Sequence, residues 1–305
     1  MSLIVFGSIN IDLVTKTPRL PVPGETLTGH NFFTAFGGKG ANQAVMAARL
    51  GVSTHLVGRV GNDTFGQDLL ASLQTAGVRC DRILVDPSIH SGVAVITVED
   101  SGENSIILVP GANGQVDLTD VERLKPLLPE ASALLLQLEI PLNAVQAAAE
   151  NARNAGVTVI LDPAPAQVNV PAELYPLVDI ITPNETEASL LAGFPVHDAA
   201  TAAKAAEELQ SRGVGSAIVT LGAKGVFCAT PEESFFVPAF PVEVVDTVAA
   251  GDAFNGALAT ALATGLPLRE AVVWGAAAGA LATTQVGAQP SLCDRATFDR
   301  FLAGL

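Results

Sequence analysis

The sequence predicts an α/β fold: a mostly parallel sheet covered by helices on both faces, with a small second β-sheet set apart as a lid. Three observations carry this. Short apolar runs at 3–6, 133–138, 157–161 and 216–220 alternate with helical stretches at 41–50, 63–76, 142–154 and 199–212, the rhythm of βαβ units with strands buried on both sides. Two patches, at about 13–36 and 91–110, break that rhythm with short strand-like segments, the second of them a hairpin around residues 99–104. The stretch Val245-Asp246-Thr247-Val248-Ala249-Ala250-Gly251-Asp252-Ala253-Phe254-Asn255-Gly256 then joins an apolar strand ending to a long helix of small residues. The 305 residues show no repeat, low-complexity tract or linker, so 1–305 reads as one α/β domain with its lid.

In chain order, 3–6 is a buried strand closed by Gly7, and Asn10 and Asp12 follow at its end. Ligands of open α/β sheets gather outside the carboxyl ends of strands, so both are candidates for binding hydroxyl groups; an Asx turn is the plainer use. Residues 25–28 and 31–34 read as short antiparallel strands, as do 92–98 and 105–109. Exposed Phe32, Phe33, Ile106 and Ile107 on so few strands suit a lid that also forms a dimer contact. After 41–50 come a strand at 53–60 and a helix from Asp63 to a stop at Gly77. Residues 133–138 lead to Glu139, again at a carboxyl end, and 179–181 leads to Asn184 and Glu187, each a ligand or a helix cap. The strand 216–220 runs into a glycine-rich turn with Gly222, Lys224 and Gly225, then a hairpin at 225–229 and 234–237. Helices at 251–264, 268–284 and 295–305 complete the chain.

Composition narrows the function. The chain is 49% apolar, enough for a sizeable core, and no stretch is long and apolar enough for a membrane helix. No export signal is evident, so cytoplasm is the expected location, and Cys80, Cys228 and Cys293 have no metal-type or disulfide spacing. A net charge of -15 speaks against a nucleic-acid partner, because duplex binding needs a basic face. A nucleotide needs only local N–H groups and perhaps one cation. Of five lysines, Lys39 in Gly37-Gly38-Lys39-Gly40-Ala41-Asn42 is the one flanked on both sides by glycine.

The 245–256 stretch is suited to holding an anion. Ala249, Ala250 and Gly251 let backbone N–H groups approach a ligand, and the following helix adds its positive end. Asp252 beside such a site either stabilises the helix dipole or takes a proton from a group attacking the anion; the second use fits phosphoryl transfer to an alcohol. No G-x-x-x-x-G-K-[ST], G-x-G-x-x-G or H-E-x-x-H run occurs, so Walker-type, dinucleotide and common zinc-hydrolase readings lack support.

Together, the 37–42 and 246–252 stretches resemble the two signatures of the ribokinase, or phosphofructokinase-B type, carbohydrate kinase family. Gly7-Ser8-Ile9-Asn10-Ile11-Asp12, Pro23-Gly24-Glu25-Thr26, Gln137-Leu138-Glu139, Thr182-Pro183-Asn184-Glu185-Thr186-Glu187, Thr220-Leu221-Gly222 and Gly287-Ala288-Gln289-Pro290-Ser291 extend the similarity over essentially the whole chain. The resemblance implies a three-layer sandwich with a β lid that transfers the γ-phosphate of ATP to the 5-hydroxyl of D-ribose. By position, Asn10, Asp12, Gly38, Lys39, Asn42, Glu139 and Asp252 would bind the sugar. Asp252 would be the base, with Ala249, Ala250 and Gly251 as the anion hole. Asn184, Thr220, Gly222, Lys224, Gly225, Gly251 and Asp252 would face the nucleotide, and Glu187 would act on Mg²⁺ through water. Asp246 and Ser291, with Val248, Ala282, Gln285 and Gly287, would hold K⁺. The expected partners are D-ribose, MgATP and a second copy through the lid, with no nucleic acid and no membrane. The rival readings are a kinase for deoxyribose, a nucleoside or a ketohexose, and a sugar-binding protein without catalysis.

Overall fold

The computed structural model describes residues 2–304. Its large sheet runs from β13 (Ser234–Pro238) through β12 (Gly225–Ala229), β11 (Ser216–Thr220), β10 (Ile180–Ile181), β9 (Thr158–Leu161), β8 (Ala131–Leu136), β1 (Ser2–Phe6) and β4 (Ser53–Gly61) to β5 (Arg79–Asp86). Every neighbouring pair from β5 to β11 is parallel, and the two edge pairs of β11, β12 and β13 are antiparallel.

The pleat distributes side chains between two cores. Leu3 and Val5 of β1, like Ala133 and Leu135 of β8, pack into one core, whereas Ile4, Phe6, Leu134 and Leu136 pack into the other. The first core is closed by α1 (Lys39–Arg49), α2 (Thr64–Thr75), α7 (Ala250–Ala263), α8 (Leu268–Ala282) and α9 (Arg295–Ala303). The second is closed by α3 (Leu118–Leu124), α4 (Leu142–Asn154), α5 (Glu185–Ala192) and α6 (Ala199–Ser211). This is the three-layer arrangement expected. Small residues bring helix backbones close: a Cβ on Gly256 of α7 would lie 2.8 Å from the Gln43 carbonyl of α1.

A separate four-stranded sheet has the order β3 (Asn31–Gly37), β2 (Asn10–Thr17), β6 (Gly92–Glu99) and β7 (Asn104–Val109). Its central pair β2–β6 is parallel and the outer pairs are antiparallel. Every residue of β7 is exposed, and so are Phe32, Ile106 and Ile107.

Several local expectations change. Asn10 and Asp12 open the lid strand β2 rather than ending β1. Residues 25–28 form no strand: Gly24 has φ 84° in a turn, and the Glu25 carboxylate is taken by Arg19 and by the Val22 N–H. Phe33 is half-buried, because period-two alternation turns it away from the side exposing Phe32. Edge strand β5 and helix α3 stand where no element was expected. Arg79, Asp81, Arg82 and Asp86 break the apolar pattern of β5. Among the described residues no helix is long and apolar enough to cross a membrane.

Candidate active site

The chain enters α7 through Ala249, which adopts a left-handed conformation at φ 60°; it is the one non-glycine residue with positive φ among the described residues. The first N–H groups of the helix have no intrahelical partner, that of Ala250 reaching the Thr247 carbonyl at 3.3 Å, and the helix's positive end borders a cavity. The space ahead is open, since a Cβ on Gly251 would meet nothing within 4 Å. Asn255, one turn on, donates to the Gly251 carbonyl at 3.1 Å and accepts from Thr182 at 2.8 Å, tying the helix start to the end of β10.

Asp252 is buried in that first turn, 5% exposed. Its Oδ2 accepts from Asn42 Nδ2 at 2.8 Å and its Oδ1 from Gln43 Nε2 at 3.2 Å. Both donors belong to α1, where positions 39, 42 and 43 share a face. Gln43 also donates to Asp162 Oδ2 at 2.8 Å and accepts from Gln137 at 2.7 Å. The carboxylate is thus held through both oxygens before any ligand arrives.

A second cluster lies where β1 passes into the lid. Glu139 Oε2 accepts from Ser8 Oγ at 2.5 Å, from Lys39 N at 3.3 Å and from Asn10 Nδ2 at 3.4 Å. Gly38 caps α1 at φ 90°, and a Cβ there would fall 2.9 Å or less from the backbone of Ser8, Ile9 and Asn10, so glycine is required twice over. Burial, then the Glu139 and Asp252 charges, push the Asp12 carboxyl up to about 7. Burial opposes the charge of the half-buried Lys39, but the carboxylates of Asp252, Asp162, Glu139 and Glu187 outweigh it and hold this ammonium protonated well above the ordinary lysine range. Asp162 is raised by burial despite Lys39, and Glu187 is raised by burial as well.

Between Asp252 and the far side of the sheet is a cavity of about 190 Å³, lined by Lys39, Asp162, Asp252 and the 249–251 turn on one side and by Asn184, Glu187 and Thr220 on the other. Asn184 and Glu187 form a capping box at the start of α5: each side chain accepts from the other's backbone N–H at 2.9 Å. Capping engages only one Glu187 oxygen, and the residue still lines the cavity. Gly222 at φ 52° and Gly225 at φ 126° lie in the turn after Thr220, outside the cavity lining, and a Cβ on Gly225 would sit 2.3 Å from the Val237 carbonyl. Lys224 is outside the cavity lining, its ammonium 2.7 Å from Glu185.

Behind the helix start, Asp246 Oδ1 accepts from Val248 N at 3.1 Å and Oδ2 from Gly287 N at 2.8 Å, joining the two loops. The buried Ser291 hydroxyl donates to the Ala288 carbonyl at 2.7 Å. Ala282 ends α8 and Gln285 closes a turn onto its carbonyl at 3.4 Å. Both Asp246 oxygens and the Ala282 carbonyl thus accept from backbone N–H groups of these loops, and the Ser291 hydroxyl is engaged within its own turn.

A larger cavity of about 490 Å³ lies between α2 and the lid, lined by Asp63, Thr64, Phe65, His90, Val93 and Val109. It is mostly apolar, and both Asp63 oxygens are engaged by Ser91, one of them also by Gly66. The chemistry therefore belongs to the smaller cavity. Sequence reasoning missed Gln43, Asp162, Asn113 and Asn255. Asp162 carried a usable signal, being at the carboxyl end of an apolar strand as Glu139 nearly is, and Gln43 shares the helical face of Lys39.

A family model described as pfkB family carbohydrate kinase matches residues 1–295. The chain belongs to this family. As a carbohydrate kinase it is a phosphotransferase with a sugar hydroxyl as acceptor. A ribokinase of Haemophilus influenzae is 43% identical over 99% of this chain and 98% of its own length. A deoxyribokinase of Salmonella typhi is 38% identical over 85% of each chain. The structure of Arabidopsis thaliana ribokinase complexed with ribose and ATP superimposes with a TM-score of 0.91 at 36% identity, covering 99% of this kinase and 98% of that chain.

Proposed function

We propose that this kinase transfers the γ-phosphate of ATP to the 5-hydroxyl of D-ribose, with Asp252 as the general base. The observation that carries it is the position of the Asp252 carboxylate, buried and held by Asn42 and Gln43, at the junction of two half-sites. On one side stand the polar groups of Asn10, Asp12, Lys39, Asn42 and Glu139 and the bare backbone of Gly38. Carboxylates accept and amides both accept and donate, a combination suited to a ring with vicinal hydroxyls. On the other side lie the 249–251 N–H groups and the Asn184, Thr220, Gly222 and Gly225 surface, suited to a nucleotide phosphate chain.

In this reading the 5-hydroxyl gives its proton to Asp252 as its oxygen bonds to the γ-phosphorus, the bond from that phosphorus to the β,γ-bridging oxygen breaks and ADP leaves, and charge developing on the transferred group is met by N–H groups at the helix start. Lys39 adds a cation beside the same carboxylate. Glu187, through the oxygen that the capping box leaves free, would hold Mg²⁺ by way of water, and the ion would supply charge neutralisation at the phosphates. The lid excludes water, which protects ATP from hydrolysis. A monovalent cation, K⁺, fits the oxygen-only set of Asp246, Ser291 and the carbonyls of Val248, Ala282, Gln285 and Gly287; it would fix the two loops that shape the anion hole. Exposed Phe32, Ile106 and Ile107 support a homodimer through the lid, which light scattering showing monomer at micromolar concentration would contradict. The cytoplasm suits three free thiols, which burial pushes up to about 11 to 12.

The test is coupled ATP turnover with ribose, deoxyribose, a ketohexose and nucleosides. Ribose should be foremost. Turnover foremost with another acceptor moves the specificity, and binding without turnover ends the kinase reading for this chain. The same assay with KCl against choline chloride at equal ionic strength should show K⁺ stimulation that Asp246→Ala removes; equal rates would eliminate the site.

A further inference from the structure

Asn113 is remote from the reacting atoms in sequence and follows the last lid strand in a short 3₁₀ turn, Gly111–Gln115. It is 1% exposed. Its Oδ1 accepts from the Ile9 N–H at 2.9 Å, and its Nδ2 donates to the Ile9 carbonyl at 3.0 Å. Backbone groups have fixed polarity, so this pair of contacts sets which end of the Asn113 amide is oxygen. The remaining N–H of Nδ2 donates to Asn10 Oδ1 at 2.7 Å.

This has a consequence for Asn10, which is itself 3% exposed. With its oxygen committed to Asn113, its NH₂ must turn toward Glu139, whose Oε2 lies 3.4 Å away. Asn10 therefore presents donors to the pocket, next to the acceptors Glu139 and Asp12. Turned over, its oxygen would face Glu139 and two acceptors would repel. Gly92 makes the arrangement feasible. It opens β6 directly opposite Asn10, and a Cβ there would be 2.2 Å from both Asn10 Oδ1 and Asn113 Nδ2. The φ of Gly92 is not positive, so an alanine there is not strained in its own conformation; its Cβ acts by displacing the two amides and the Ile9 carbonyl, which would lie 2.9 Å away.

We infer that Asn113 is a positioning residue that fixes the amide orientation of Asn10, and with it the hydrogen-bond polarity by which the pocket reads one sugar hydroxyl. The inference rests on the reading of Asn10 as a sugar-binding residue. Asn113 does not line the cavity, and its side-chain contact with the proposed sugar side is the bond to Asn10. Its effect reaches the substrate only through Asn10, and because Asn113 and Gly92 flank the lid strands, it also couples lid placement to that recognition.

The experiment compares wild type, Asn113→Asp and Gly92→Ala with ribose and with its 2-deoxy and 3-deoxy analogues, reading KM and kcat for sugar and for MgATP. Asn113→Asp keeps the acceptor for Ile9 N–H but sets an oxygen against the Ile9 carbonyl and Asn10 Oδ1, which favours the turned-over Asn10. Both variants should raise the ribose KM by about 10- to 100-fold, the cost of a misdirected buried hydrogen bond, while kcat and the MgATP KM move by less than about threefold. In wild type, deletion of the hydroxyl that Asn10 reads should carry a penalty, and in both variants that penalty should shrink by about tenfold. A merely structural role would lower stability and kcat without touching the deoxy penalty. Unchanged ribose KM and deoxy penalties in either folded variant would overturn the inference. A wild type that turns over ATP without preference for a pentose would instead overturn the sugar reading on which it rests.

Discussion

The two halves of the site are built from different materials. On the proposed sugar side, side chains carry the structure: Asn10, Asn42, Asp252 and Glu139 are already bonded to Asn113, Gln43, Ser8 and one another. On the proposed nucleotide side, backbone conformation contributes through Ala249, Gly222 and Gly225 at positive φ, beside the Asn184, Glu187 and Thr220 side chains, while Lys224 pairs with Glu185 on the surface. A sugar differs from its competitors by the placement of single hydroxyls, which only oriented side chains can distinguish. A phosphate chain is bound as charge, and N–H groups at a helix start suffice.

This contrast is sharpened by two substitutions on the nucleotide side. Gly225→Ala places a Cβ on the Val237 carbonyl at a φ that alanine avoids, and should lower kcat/KM for MgATP by about 100-fold while the ribose KM stays within about threefold. Lys224→Ala, at the adjacent residue, removes only a surface pair with Glu185 and should change either parameter by less than about threefold. If Lys224→Ala proves the more damaging of the two, the nucleotide half is built from side chains after all.

A smaller effect concerns pH. The Asp12 carboxyl titrates at about 7 in the folded chain against 3.8 when free, through burial and the neighbouring Glu139 and Asp252 charges. Between those values the folded chain keeps a proton that the unfolded chain releases. Stability contributed at this residue is therefore present at low pH and lost as pH rises from about 4 to 7. Asp12→Asn should raise Tm at pH 8 by roughly 2 to 6 °C and leave it nearly unchanged at pH 4, at the expense of sugar affinity. In wild type, kcat/KM for ribose should fall as pH drops below about 7, because a protonated Asp12 is a poorer acceptor. Parallel melting curves for the two proteins at all pH values would remove the charge strain from the sugar half.

The same contrast explains what the sequence disclosed. Backbone-built features leave small residues in runs, so the 249–251 turn and the Gly37-Gly38-Lys39-Gly40 stretch were legible, as was Asp252 beside them. The alternation of apolar runs located β1, β4, β8, β9 and β11 and the helices between them. Side chains that act through a distant partner leave no local trace: Asn113 meets Ile9 and Asn10 across more than one hundred residues, and nothing near it marks the contact. Charged residues hid β5, and the Glu25-Thr26-Leu27-Thr28 run imitated a short strand where the chain forms none.

The most direct test of the account is Asp252→Asn, read as kcat and ribose dissociation constant on the same preparation. The substitution is tolerable in place, because Asn42 Oδ1 is buried without a partner and can turn to accept from the new amide where its Nδ2 now donates. If Asp252 removes the hydroxyl proton, kcat falls by about 10² to 10⁴ or more, while ribose, measured by calorimetry, binds within about threefold of wild type. A variant that retains near-normal kcat, or one whose lost turnover is matched by lost ribose binding, would contradict the assignment of Asp252 as the base at the junction of the two half-sites.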